Sequence, residues 1–203
     1  MIVCLSGAHS TGKSTLIEQF RNTEGFVCID SVTRSTISSE ERRVDGGVTE
    51  EGQLRIADAI VAKTQELLEM EEKDPTKVYL LDRSVFDFLA YSNVFADRKQ
   101  ISNYCYSKLM EKVGGCIKAY DLVIRIPIRF GIVDDGSRSI DTSLQREVDN
   151  YLLKMLDVPY PGCSYVIEHL QELSVDERVS RINEVISGVR SRKDSRRILE
   201  GTH

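Results

Sequence analysis

The chain has 203 residues, and 27 Lys+Arg against 32 Asp+Glu give a formal net charge of −5. With 41% hydrophobic and 29% charged residues it has the composition of a globular domain with a sizeable core, which excludes a disordered chain, and its acidity argues against a dedicated non-specific nucleic-acid binder. The longest apolar run covers residues 1–5, far short of the ~20 a membrane span needs, and no basic segment precedes it, so neither a membrane helix nor a signal peptide is expected.

In chain order, residues 1–6 read as a buried strand closed by Gly7, 14–20 as a helix and 26–29 as a second strand. Residues 35–52 are polar, with Glu40-Glu41-Arg42-Arg43 and Gly46-Gly47, and read as a mobile surface loop or short helix. Leu54, Ala57, Ile60, Val61, Thr64, Leu67 and Leu68 recur at helical spacing, which predicts a helix over 53–72 stopped by Asp74-Pro75. A third strand follows at 78–81, helices at 85–95 and 101–113, and a fourth strand at 122–126 before Pro127. A helix over 142–156, a fifth strand at 165–167 and a helix over 175–186 complete the pattern. Residues 188–203 form a basic tail with Arg190, Arg192, Lys193, Arg196 and Arg197, read as a solvated helix end. Apolar strands alternating with helices predict one α/β domain over 1–187, its mostly parallel five-stranded sheet covered by helices on both faces. Five scattered cysteines, none in a C-x-x-C pair, read as reduced thiols in a cytoplasmic protein.

The strongest motif is Gly7-Ala8-His9-Ser10-Thr11-Gly12-Lys13-Ser14, which fits G-x-x-x-x-G-K-[ST] between a strand and a helix. Gly7 and Gly12 let the backbone curl so that successive N–H groups face phosphate oxygens, and the helix start adds its dipole. Lys13 then reaches the β- and γ-phosphates and the Ser14 hydroxyl ligates Mg²⁺. His9 is expected to cap the loop rather than act as a base, while Ser10, Thr11 and Thr15 line the ATP site. Asp82-Arg83-Ser84 ends the third strand, where ligands of open α/β sheets bind. There Asp82 is placed to hold Mg²⁺ or take a proton, and Arg83 to clamp substrate or phosphate. At the end of the second strand, Asp30 and Arg34 share a face if the segment turns helical, as a base and an acceptor-binding arginine. Beyond the fourth strand, Arg129 and Arg138 flank Asp134-Asp135-Gly136-Ser137, a segment suited to close over the γ-phosphate, and Arg138 is the expected catalytic cation; Arg125 also reads as structural.

These motifs, in this order, resemble the P-loop kinases of nucleosides and nucleotides. Asp82-Arg83-Ser84 looks like the Asp-Arg motif of deoxynucleoside and thymidylate kinases, and Asp30-Ser31-Val32-Thr33-Arg34 is similar to the Glu-x-x-x-Arg stretch that supplies a catalytic base, with Asp one methylene shorter. Residues 7–15 with Asp134-Asp135-Gly136-Ser137-Arg138 look closer to the ribosylnicotinamide-kinase-like group, which includes phage kinases of hydroxymethylated pyrimidines in DNA. The resemblance implies a P-loop kinase fold with a LID region about 128–157, ATP and Mg²⁺ as cofactors, and γ-phosphate transfer to a nucleoside- or nucleotide-type acceptor. A modified base in DNA is an alternative acceptor, and an ATPase switch without acceptor is a second alternative. The expected particle is a monomer or homodimer.

Overall fold

The computed structural model describes residues 1–36, 48–129, 131, 141–158, 160–172 and 174–200, without the side chains of residue 194 and residues 196–200. Its strands are β1 (Ile2–Ser6), β2 (Phe26–Ile29), β3 (Val78–Asp82), β4 (Leu122–Arg125) and β5 (Val166–His169). Its helices are α1 (Lys13–Phe20), α2 (Val32–Thr36), α3 (Glu50–Lys73), α4 (Val85–Asp97), α5 (Asn103–Val113), α6 (Thr142–Leu156) and α7 (Val175–Glu200), with a 3₁₀ turn at Gly114–Ala119.

The sheet order is β2-β3-β1-β4-β5, and every described pairing is parallel. Parallel sheets need helices on both faces, and alternate residues of each strand serve the two layers. Ile2, Cys4, Tyr79, Leu81 and Val123 face a core built with α3 to α6, centred on Phe86, Leu89, Leu109 and Val148. Val3, Leu5, Leu80, Leu122 and Ile124 face the other way, onto Leu16, Ile17 and Phe20 of α1 and Ile182, Ile186 and Val189 of α7. Because β1 lies between β3 and β4 while its own chain leaves toward β2, a crevice opens beyond the carboxyl ends of β1, β3 and β4.

Several boundaries move for identifiable reasons. α3 begins at Glu50, not residue 53, because Thr49 accepts from the Gly52 N–H as N-cap. α5 starts at Asn103 behind the Ser102 cap. The basic tail continues α7 as far as Glu200: Val189 is buried, Arg190 donates to Thr76 O at 3.0 Å, and Lys193 bonds Glu71 and Asp121. The five cysteines are all free thiols. Among the described residues, no helix is long and apolar enough to cross a membrane.

Candidate phosphate-binding site

The loop between β1 and α1 sits at the centre of the crevice. Gly7 passes against the end of β4 so closely that a Cβ there would lie 2.5 Å from Ile126 O. Gly12 caps α1 in the left-handed region at φ 92°. Ser10 also has a positive φ, 59°, and its buried Oγ has no hydrogen-bond partner among the described residues. A strained residue with an orphaned buried hydroxyl is what a loop shaped for a polar ligand leaves behind when it is described alone.

Neighbouring elements hold the loop in shape. The Gly7 N–H donates to Asp87 Oδ1 at 2.9 Å, and the His9 N–H donates to the Tyr91 hydroxyl at 2.9 Å, both from α4. His9 is buried, with Nδ1 2.8 Å from the same hydroxyl, so it fills and anchors the loop as expected. Gln145, buried on α6, donates to His9 O at 2.7 Å. Arg178, buried at the start of α7, donates to Thr11 O at 3.3 Å and to Glu172 O at 2.9 Å. Burial, then the neighbouring Arg129, pulls the Arg178 pKa below its usual value. Thr15 is exposed on the first turn of α1. Lys13 is buried, its ammonium turned back on Gly7 O at 2.6 Å, Ala8 O at 2.5 Å and Thr11 Oγ1 at 3.1 Å.

Ser14 and Asp82 meet where β1 and β3 end: Ser14 Oγ donates to Asp82 Oδ2 at 3.2 Å, and Asp82 is buried. Arg34 reaches the same point, with Nη2 3.4 Å from Ser14 Oγ and 3.9 Å from Asp82 Oδ2. Arg83 adopts φ 91°, outside the usual range for a side-chain-bearing residue. Its guanidinium lies 5.2 Å over the Tyr91 ring and 3.9 Å from Asp87 Oδ1. A pocket opens beside them between β2, β3, α2 and α3, lined among others by Ser31, Ile60, Thr64, Asp82, Arg83 and Tyr120.

The expectation that Asp30 and Arg34 share a helical face is not met. α2 starts only at Val32, so Asp30 stays on the exit of β2 and pairs with Arg21 of α1 at 2.8 Å, 72% exposed, while Arg34 turns toward Ser14. Arg125, at the end of β4, is buried and bonded to Asp149 at 2.8 Å. Arg129 donates to Gln171 at 2.6 Å on the far side of the crevice, near Arg178. Arg138 and the acidic loop before it lie outside the described residues, as do residues 37–47 of the segment read as a mobile surface loop.

Sequence reasoning missed Asp87, Tyr91, Gln145 and Arg178. Asp87 left a signal, since Ser84-x-x-Asp87 is a capping pattern that the structure realises at the start of α4. The other three are single polar residues on amphipathic helices, and only the packing of those helices against the loop reveals them.

The AAA domain family model matches residues 2–178. The chain belongs to that family. No curated protein is similar enough in sequence to match. Among solved structures, thymidylate kinase from Candida albicans superposes with TM-score 0.65 at 15% identity, covering 92% of this chain and 91% of that one. Deoxyadenosine kinase from M. mycoides superposes with TM-score 0.66 at 13% identity with bound dCTP, covering 93% of this chain and 100% of that one; its form with bound dATP gives 0.66 at 12% identity, covering 92% and 99%. At such identities the likeness establishes the fold: five parallel strands flanked by helices, as in P-loop kinases.

Proposed function

We propose that this AAA-domain chain is an ATP-dependent phosphotransferase that moves the γ-phosphate onto a nucleoside- or nucleotide-type acceptor. The observation that carries the reading is the meeting of Ser14 Oγ and Asp82 Oδ2, 3.2 Å apart, between the phosphate loop and a pocket lined by Asp82 and Arg83. A binding module would need the loop; a second pocket sharing its carboxylate suits a second substrate.

Ser14 and Asp82 offer two hard oxygens on one side of the loop, a donor set that would hold Mg²⁺. Mg²⁺ bound there would supply neutralisation of the charge that develops during phosphoryl transfer. ATP enters over β1 and β4, its phosphates meeting the loop N–H groups and the α1 dipole. Lys13 exchanges Gly7 O and Ala8 O for phosphate oxygens, so its charge arrives from 2.6 Å and 2.5 Å contacts within the same loop. Arg129 and Arg178 border the donor side, and Arg34 and Arg83 the acceptor side. Arg138 remains the cation proposed for the γ-phosphate and lies outside the described residues. Asp30 and Asp82 are the two carboxylates of the acceptor pocket and the candidates for a base if the acceptor is a hydroxyl.

The likeness to proteins named thymidylate kinase and deoxyadenosine kinase supports a nucleoside- or nucleotide-type acceptor. The AAA domain match favours a second reading, an ATPase switch. Labelled ATP offered with nucleosides, nucleotides, nicotinamide riboside, or DNA carrying ordinary or hydroxymethylated pyrimidines separates them. Label in an acceptor supports the phosphotransferase and names its substrate; phosphate release at the same rate with no acceptor supports the switch.

A further inference from the structure

We infer that the acceptor brings its own ionised nucleophile: it is a phosphomonoester of the nucleoside monophosphate kind, and the product is a phosphoanhydride. This rests on the phosphotransferase reading above. A hydroxyl acceptor must give up a proton at neutral pH, which calls for a base within hydrogen-bond reach. Among the described residues that border the pocket, the carboxylates are Asp30 and Asp82. Asp30 points to solvent, 72% exposed, and Arg21 on α1 holds its Oδ1 at 2.8 Å. Asp82 faces the phosphate loop, where Ser14 donates to it and Arg34 lies 3.9 Å away. Three of the pocket's five hydroxyl-bearing residues are no better placed. Thr64 donates to Ile60 O at 2.8 Å on its own helix, Ser84 donates to Asp87 at 2.7 Å, and Tyr120 accepts the Val85 N–H at 2.9 Å while burial pushes its pKa well up.

Among the described residues, cations stand where a base would be needed. Arg34 and Arg83 flank Asp82, and Lys63 lines the α3 side, paired with Glu66 at 2.6 Å. The positive φ of Arg83 is strain at a residue that carries a long side chain, and such strain gathers where a side chain must be aimed. Asp87 makes no close hydrogen bond to it: that carboxylate accepts from Gly7 N, Ser84 N and Ser84 Oγ, and its Oδ1 lies 3.9 Å from the guanidinium. An arginine fork poised over an aromatic ring suits a phosphate better than a neutral hydroxymethyl group.

The chemistry then balances without a base. A lone pair on an acceptor phosphate oxygen forms the new bond to the γ-phosphorus. The bond from that phosphorus to the β–γ bridging oxygen breaks, and its electron pair leaves with ADP. No proton moves when the acceptor is a dianion, whose second pKa is about 6.

The test offers the full chain Mg²⁺ and labelled ATP with matched pairs of nucleoside and nucleoside 5′-monophosphate. The expected result is labelled diphosphate, with kcat/KM for the monophosphate exceeding that for its nucleoside by about 100-fold or more, since a site built for a phosphate rejects the analogue that lacks it. Activity should fall through an acid limb near pH 6, the second ionisation of the acceptor. Arg83→Gln should raise the KM for the monophosphate about tenfold and change that for ATP less than about twofold, with partial rescue by Arg83→Lys. Nucleosides turned over as fast as their monophosphates, or faster, overturn the acceptor class and leave the phosphotransferase standing. Phosphate release with neither acceptor labelled overturns both.

Discussion

Asp82 and Asp87 are five positions apart, both buried, and have different work. Asp87 accepts three hydrogen bonds, from Gly7 N, Ser84 N and Ser84 Oγ, and so ties α4 to the phosphate loop. Asp87→Asn replaces an acceptor oxygen by a donor that faces N–H groups, and losing a charge-assisted bond of this kind costs about 1.5–3 kcal/mol. For a chain of this size that lowers Tm by roughly 5–10 °C in a thermal melt. Asp82 has the Ser14 hydroxyl at 3.2 Å and Arg34 at 3.9 Å, so Asp82→Asn should leave the melt within a few degrees. Its cost should appear as about a hundredfold loss in kcat/KM and a higher Mg²⁺ requirement. Equal losses of activity and stability in both variants would place the metal face wrongly. Lys13→Ala should lose about 3–4 kcal/mol of transition-state stabilisation, measured as kcat/KM. It should also loosen the loop, because Gly7 O and Ala8 O lose their ammonium partner; faster amide exchange over residues 7–13 is the check. The loop and Asp82 are legible in the sequence because a contiguous motif and a strand end fix their positions. The pairing of Asp30 was not legible, because its partner Arg21 belongs to another element and only the fold brings the two together.

The strand, loop and helix at Ile2–Phe20 act as one element whose shape depends on two glycines. A Cβ on Gly7 meets the carbonyl of Ile126 at 2.5 Å, and a backbone atom at the end of a paired strand cannot step aside cheaply. A Cβ on Gly12 meets only the end of the Arg178 side chain, at 3.4 Å, leaving the cost of the left-handed backbone, about 1–2 kcal/mol. Gly7→Ala should therefore destabilise more than Gly12→Ala in urea unfolding and should also weaken ATP binding by displacing the loop from β4. If Gly12→Ala is the more damaging, the Arg178 contact matters more than the strand contact. α6 reaches the same loop from the other side through Gln145, and its start is fixed by Arg98, which bonds Asp141, Ser143 and Glu147. The Ser143 hydroxyl and then Arg98 hold the Asp141 carboxyl well below its ordinary pKa, so this cap stays ionised down to strongly acid pH. Each strand of the sheet was readable as a short apolar run between turn signals. The bounds of α6 were readable as well, but the start of α3 was not, because Thr49 acts as its cap through its own side chain several residues before the apolar pattern begins, and Ser102 caps α5 just inside the expected run.

At the scale of the molecule, the amino-terminal end of the sheet, opposite the phosphate loop, is held by a charge cluster. Lys193 on α7 lies 2.7 Å from Glu71 of α3 and 2.8 Å from Asp121 before β4, and the amino terminus lies 3.0 Å from Glu71. The basic tail therefore serves as a strap across the layers, which composition cannot show because the acidic partners are 122 and 72 residues away. Burial opposes ionisation of Glu71, but hydrogen bonds from Lys193 and the amino terminus outweigh it and lower the pKa. Burial likewise opposes the charge on Lys193, and Asp121 and Glu71 outweigh it and raise that pKa. A depressed acid contributes stability above its unfolded value, about 4.3, and loses it as pH falls through the folded value. A raised base contributes below its unfolded value, about 10.4, and loses it as pH rises through the folded one. The amino terminus runs the other way: burial lowers its pKa, so its charge costs stability at low pH and that cost is gone above about 8. The pair is thus fully effective from about pH 5 to 10. With both side chains partly shielded, Lys193→Ala should cost about 1 kcal/mol near neutrality, a fall of roughly 2–4 °C in Tm. The difference from the wild type should shrink as pH drops below about 4, where Glu71 becomes neutral, and also in molar salt. A difference that persists unchanged at low pH would show that Lys193 acts through the packing of its apolar stem on that end of the sheet, and that α7 is held there by Val189 and its apolar neighbours alone.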